Sequence, residues 1–292
     1  MVYQKVRKKM IERLKNNPGL TGNARVIPNV VFSEQYGLTM QVLVPWAAAA
    51  KIQSDFPAIV FLQGSAWKFP DVYFELPQLS ALARAGYVVA TITHRNYRDG
   101  YPMPAFLEDA KTAIRFLRTH AAEYGIDPER IGFWGTSSGG NTAQLVSLTG
   151  DDPQYKTREW SEASDSVRCA VSCFGPTDLV SLFEGLKQNG QEGEVDLDLM
   201  LGGKFADQQE LVKAMSPLQI ISERKTDCPL LLLHGTGDGL VPDEQSLVMY
   251  EALQAAGVAT ELILVEEADH EADFWSAAVY EKIQQFFDRH LK

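Results

Sequence analysis

Cysteine is scarce in this chain: Cys169, Cys173 and Cys228 are the three among 292 residues. An odd, sparse set without metal-ligand spacing argues against a disulfide framework or a cysteine-held metal. The three thiols read as reduced side chains in or beside strands. Long apolar runs are missing too. No stretch approaches the ~18 consecutive apolar residues a membrane-crossing helix needs, so no membrane association is expected. Residues 1–17 are charged and hold no apolar run of signal-peptide length. The expected compartment is therefore the cytoplasm, unless a leader was removed ahead of this numbering. Basic residues are outnumbered 27 to 38, a net charge of −11. That balance argues against nucleic acid or an anionic lipid surface as the main partner, and says little about a substrate held in a local pocket. Internal repeats, low-complexity tracts and interdomain linkers are also lacking. One domain over residues 1–292 is the expectation.

What is present is regular alternation. Val26 to Ser33 and Leu38 to Val44 are β-rich runs around Glu34-Gln35-Tyr36-Gly37, an antiparallel hairpin at a sheet edge. Pro57 to Leu62 is continuously apolar, hence a central strand, and Leu76 to Ala85 is a helix stopped by Gly86. Strand Tyr87 to Thr93 follows. The pattern from Pro104 to Tyr124 is a long amphipathic helix with Phe106, Ala110, Ala113, Ile114 and Leu117 inward. Strands are expected at 131–134, 167–174, 230–233 and 261–265, and helices from Ser138, over 245–256 and over 274–290. Strands alternating with helices predict an α/β fold, a mostly parallel sheet with helices on both faces.

Two segments stand outside that alternation. Tyr3, Val6, Met10 and Leu14 recur at helical spacing, an N-terminal amphipathic helix within residues 1–20. It is expected to dock on the body; a homodimer contact or a flap by the active site is the other use. Residues 179–227 carry scattered apolar side chains (Phe183, Leu186, Leu199, Met200, Leu201, Phe205). They read as a small helical insertion over the strand ends, either a lid or a surface excursion.

The chemistry centres on residues 130–146. A short apolar strand runs into Gly135-Thr136-Ser137-Ser138-Gly139, a G-x-S-x-G pattern, and then into a helix. A serine at such a corner has its hydroxyl pushed above the sheet edge, and glycines two residues away on each side keep backbone clear of it. The helix N-terminus favours negative charge at the same spot. A serine hydroxyl needs a base, usually a histidine held in one tautomer by a carboxylate. Of five histidines, His120 and His290 read as solvated, His94 as packing or a local hydrogen bond, and His234 as structural within its turn. His270 lies in the loop between the last strand and last helix, at the C-terminal sheet edge where Ser137 emerges. Asp238, in the loop after strand 230–233, is the favoured acid because Gly237 and Gly239 free its loop to turn inward; Asp243, Glu266 and Asp269 are rivals. Ser137, Asp238, His270 is the serine, acid, histidine order of the α/β-hydrolase scaffold. A tetrahedral intermediate also needs backbone donors. The Ser138 N–H is one candidate, and the loop Gln63-Gly64-Ser65-Ala66-Trp67 offers Ala66 first, with Ser65 and Trp67 as neighbours. Trp67, Tyr97, Tyr101 and Phe183 are the candidate substrate-lining aromatics. Packing of Trp67 against the hairpin is the plain alternative for that residue.

Gly-Thr-Ser-Ser-Gly-Gly-Asn, His-Gly-Thr-Gly-Asp-Gly-Leu-Val-Pro and Ala-Asp-His together resemble the α/β-hydrolase superfamily. The run Asp109 to Arg118 with Tyr124 to Pro128 is similar to hormone-sensitive-lipase-like carboxylesterases, and to bacterial acetyl-xylan and feruloyl esterases. The resemblance spans roughly Val26 to Leu291. It implies a serine hydrolase of carboxylic esters without cofactor or metal, acting on a small-molecule ester of short-chain, aryl or acylated-sugar type. One departure is plain: those families usually carry His-Gly-Gly-Gly where this chain has Gln63-Gly64-Ser65-Ala66. Backbone donors survive that change; a histidine's bracing hydrogen bonds do not, although Gln63 is placed to supply some of them. A prolyl-oligopeptidase-type peptidase and a catalytically silent binding protein are the alternative functions.

Overall fold

In the computed structural model, residues 12–188, 195–224 and 226–292 are described. Eight strands form one sheet: β1 (Ala24–Ser33), β2 (Leu38–Pro45), β3 (Phe56–Leu62), β4 (Val88–Ile92), β5 (Ile126–Thr136), β6 (Ala170–Cys173), β7 (Leu230–Gly235) and β8 (Thr260–Val265). Their order is β1-β2-β4-β3-β5-β6-β7-β8. The β1–β2 hairpin is antiparallel and sits at one edge; β2 also pairs antiparallel with β4. Every other pairing is parallel. The expected α/β architecture is therefore observed, with β3 and β5 in the middle.

Strand periodicity explains how one sheet serves two cores. Side chains alternate between faces with period two. Ala58, Val60 and Leu62 of β3 join one buried cluster, and Ile59 and Phe61 join the other. The first face is covered by α2 (Ala105–Thr119), α3 (Ser138–Leu148) and α8 (Glu244–Ala255), through Phe106, Ile114, Leu145 and Leu253. The second is covered by α1 (Leu76–Arg84) and α9 (Ala277–Leu291), through Leu79, Ile283, Phe286 and Phe287. The inward residues expected on α2 are all buried.

Several boundaries differ from expectation. The helix expected to reach Tyr124 ends at Thr119 and resumes as one turn, Ala121–Tyr124, closed by Gly125 in the left-handed region (φ 70°). β5 begins at Ile126, earlier than its apolar run, because Ile126 already pairs with Phe56 of β3. β6 begins only at Ala170. α9 starts at Ala277, where the Ser276 hydroxyl accepts the Val279 N–H at 3.3 Å. The amphipathic helix expected within residues 1–20 falls largely outside the described residues. Within them, 12–17 are not helical, and Leu14, expected on the apolar face, is exposed.

Between β6 and β7 lies the insertion: α4 (Leu179–Gln188), α5 (Leu197–Leu201), α6 (Gln209–Ala214) and α7 (Pro217–Ile220). Hydrogen bonds tie it to the body of the fold. Asn141 Nδ2 of α3 donates to the carbonyls of Pro176 and Met215, each at 3.1 Å, and the Met103 N–H donates to Met200 O at 2.9 Å. Phe183, Met200 and Leu201 are buried, while Leu199 is exposed. No helix among the described residues is long and apolar enough to cross a membrane.

Candidate active site

Ser137 sits between the end of β5 and the start of α3 with φ 52° and ψ −121°. A side-chain-bearing residue is rarely found there, and the strain persists only where its surroundings over-determine it. The Ser137 N–H donates to Cys173 O at 2.9 Å, anchoring the corner to β6. The glycines of the motif are there for space. A Cβ on Gly135 would lie 1.9 Å from Gly139 O, and one on Gly139 would lie 2.1 Å from Leu62 O.

The three residues picked out by chain order converge. His270 Nε2 is 2.9 Å from Ser137 Oγ, and His270 Nδ1 is 2.7 Å from Asp238 Oδ2. A carboxylate only accepts, so Nδ1 carries the proton and Nε2 of the neutral ring faces the serine hydroxyl. That arrangement can take the hydroxyl proton. Phe174, buried after β6, sets its ring edge-on to the imidazole at 4.8 Å.

Asp238 is held by more than His270. Its Oδ1 accepts the N–H groups of Leu240 (2.9 Å) and Val241 (2.8 Å), and its Oδ2 also accepts from His234 Nε2 at 3.2 Å. Burial pushes its pKa up, but the hydrogen bonds from His234, His270 and Val241 outweigh burial and hold the carboxyl well below the ordinary range. The reason expected for its inward turn needs correcting: neither Gly237 nor Gly239 adopts a left-handed φ. Gly237 instead provides close approach, since a Cβ there would lie 2.9 Å from Glu267 O. The rival Asp269 is a loop tie, its Oδ1 accepting the N–H groups of His270 (2.7 Å) and Gly239 (3.1 Å). Asp243 precedes α8 and Glu266 is exposed.

Ala66 and Trp67 both take left-handed backbone, φ 50° and 55°. The Gly64 N–H is engaged by Thr136 Oγ1 at 2.8 Å, and the Ser65 N–H by Ser138 Oγ at 2.9 Å. Among the described residues the N–H groups of Ala66, Trp67 and Ser138 have no protein acceptor. Gln63 braces the far end of this loop: Oε1 accepts the Asp71 N–H at 2.6 Å, and Nε2 donates to Glu75 Oε1 at 3.3 Å.

The candidate aromatics divide. Trp67, Tyr97 and Phe183 are buried, and Trp67 packs edge-on to Phe183 of the insertion at 6.1 Å and tilted against Phe106 at 6.2 Å. Tyr101 is exposed, edge-on to Tyr36, with the Arg95 guanidinium over both rings. The two histidines expected to be solvated need revision. His120 stacks on Phe116 at 4.2 Å and meets Trp160 edge-on, so it is half-buried packing, and His290 lies half-buried against Phe286. His94 is buried, with Nδ1 2.7 Å from Arg95 O and its ring against Phe106, as expected of a packing residue.

Residues 46–253 match the BD-FAE family model. The chain belongs to the BD-FAE family. The matched span includes Ser137 and Asp238, and His270 lies beyond its C-terminal limit. The chain is 29% identical over 210 residues to Esterase LipQ of Mycobacterium tuberculosis, covering 70% of this chain and 47% of that protein. It is 30% identical over 219 residues to Esterase LipC of the same organism, covering 74% of this chain and 52% of that protein. It thus spans about half the length of the curated relatives it matches. Among solved structures, the butyrate-bound esterase 2 of Thermogutta terrifontis superposes with a TM-score of 0.72 at 28% identity, covering 95% of this chain and 97% of that one. BD-FAE membership and these neighbours place the sheet and its helices in the α/β-hydrolase esterase fold.

Proposed function

We propose that the chain is a serine carboxylesterase that cleaves small esters through an acyl-Ser137 intermediate. The observation that carries this reading is the unbroken relay from Ser137 Oγ to His270 Nε2 (2.9 Å) and from His270 Nδ1 to Asp238 Oδ2 (2.7 Å). Ser137 Oγ attacks the ester carbonyl while His270 Nε2 takes its proton. The carbonyl oxygen, now negative, accepts from the free N–H groups of Ser138 and Ala66, with Trp67 beside them. The intermediate collapses, the Oγ–acyl bond is kept, and the alcohol leaves with the proton from Nε2. Water then gives a proton to Nε2 and attacks the acyl-enzyme, and collapse returns that proton to Oγ and releases the acid. Asp238 keeps Nδ1 protonated throughout.

A short acyl group is supported by the butyrate held in the Thermogutta terrifontis relative. The aromatics Trp67, Tyr97, Tyr101 and Phe183 suit an aryl or sugar ester, acetyl or feruloyl in type. In this reading the insertion covers the site through the Trp67–Phe183 contact and acts as a lid.

The test is turnover of p-nitrophenyl acetate, butyrate and octanoate beside the Ser137→Ala protein. Rates that fall with chain length and vanish in the variant are expected. Turnover that persists in Ser137→Ala overturns the mechanism. Cleavage of aminoacyl amides in preference to esters would favour the peptidase, and failure of the folded protein to react with a fluorophosphonate would favour the silent binding protein.

A further inference from the structure

We infer that Thr136 and Ser138, the hydroxyl residues on either side of Ser137, are positioning residues that fasten the oxyanion loop to the nucleophile turn. This rests on the esterase reading above and gives a role to two side chains that the reading leaves unused.

Three consecutive residues of the turn touch the loop. Thr136 Oγ1 accepts the Gly64 N–H at 2.8 Å, and Ser138 Oγ accepts the Ser65 N–H at 2.9 Å. Between them, Gly64 lies so close to Ser137 that a Cβ would fall 2.5 Å from Ser137 Cβ. Thr136 and Ser138 are both buried, so solvent does not readily replace either bond. The next two N–H groups of the loop, those of Ala66 and Trp67, are the ones left without a protein acceptor. The clamp therefore ends where the free donors begin. Ser138 has two tasks: its N–H stays free toward the reacting oxygen while its hydroxyl holds the facing loop.

Gln63 does not do this work. Its side chain points along the loop to the Asp71 N–H and to Glu75, away from the turn. The near side of the loop is thus held from the nucleophile's own neighbours, in a chain that lacks the histidine usual at the start of this loop. The function of such a clamp follows from what oxyanion donors require. They lower a barrier only if they are aimed before charge develops, since reorganising them during the reaction uses up the gain. A loosened loop weakens binding of the transition state and leaves ground-state binding nearly unchanged, so kcat falls and KM does not.

The test compares Thr136→Val, which keeps shape and removes the acceptor, Ser138→Ala, and the conservative Thr136→Ser. The readouts are steady-state kinetics on p-nitrophenyl butyrate, inhibition by an alkyl boronic acid that adds to Ser137 as a tetrahedral adduct, and product inhibition by butyrate. Thr136→Val and Ser138→Ala should each lower kcat by about tenfold or more with KM within about twofold. Boronate affinity should weaken by a similar factor while butyrate inhibition holds, and Thr136→Ser should recover most of kcat. A kcat that stays level or rises in Ser138→Ala overturns the inference, as does Thr136→Ser losing as much as Thr136→Val. If Thr136→Val does not fold, Ser138→Ala decides alone. Wild-type protein that turns over no ester would sink the esterase reading; unaffected variants of an active wild type would sink only the clamp.

Discussion

His234 and His270 share one oxygen of Asp238: Nε2 of the first lies 3.2 Å and Nδ1 of the second 2.7 Å from Oδ2. His234 Nε2 also lies 2.9 Å from Val241 O, so both neighbours of that nitrogen are acceptors and it carries the proton. Nδ1 then accepts from the Ser246 hydroxyl at 2.6 Å. A buried imidazole thereby ties β7, the Asp238 loop and α8 together, and sets the carboxylate that orients His270.

His234→Leu is expected to retain the fold and lower kcat/KM by about 10- to 150-fold, from loss of a charge-assisted hydrogen bond worth ~1.5–3 kcal/mol. Asp238→Asn should cost far more, about 10⁴ in kcat, because the amide no longer enforces the His270 tautomer. Kinetics of the two variants side by side check the ranking. Equal losses would mean that His234 does more than orient Asp238. Acid unfolding gives a second readout. Asp238 is held below its ordinary value, so its stabilisation is present above the usual carboxylate pKa of about 4 and is lost as pH falls through the folded value. His234→Leu should shrink that loss.

Glu75 has the opposite sign. Its carboxyl is buried, with Gln63 Nε2 at 3.3 Å as its side-chain donor. Burial, and then the negative charge of Glu271, push its pKa from 4.5 up to about 7. The folded chain therefore binds this proton more tightly than the unfolded chain. The stabilisation is full below pH 4.5 and is lost as pH rises toward 7. Glu75→Gln should be nearly neutral at pH 5 and more stable than wild type at pH 8 by about 2–3 kcal/mol. Urea melts at the two pH values check this, and an unchanged pH dependence would count against a protonated Glu75.

Asp165 lies in the irregular segment between α3 and β6, yet it is fully buried. Its Oδ2 meets Arg115 Nη1 at 2.7 Å and its Oδ1 meets Lys111 Nζ, and both cations are also buried on α2. Burial lowers the Lys111 pKa while Asp165 draws it back up. Asp165→Asn leaves two buried cations without their counter-charge and should destabilise by about 3–5 kcal/mol. The expected result is a lower urea midpoint with unchanged slope. Because the cluster makes no contact with Ser137 or His270 in this structure, kcat of the folded protein should hold.

Local pattern alone determined a good part of this protein. Apolar runs of strand length alternating with amphipathic segments specify an α/β layer structure, because period two and period 3.6 bury different faces. The Gly135 to Gly139 spacing marks the corner because only glycine tolerates backbone oxygens at about 2 Å from where a Cβ would stand. Chain order then singled out Asp238 and His270. What only the tertiary structure decided are contacts between residues distant in the chain, which carry no periodic signal. Ser137 and His270 meet across 133 residues, and Thr136 reaches Gly64 across 72. His234 lies four residues from Asp238 in a turn, where spacing says nothing of which way either side chain points. Phe174 under His270, Asp165 between two cations and Phe183 against Trp67 are likewise outcomes of packing. Each depends on how separate elements stack in three dimensions, and that is settled by the whole core at once.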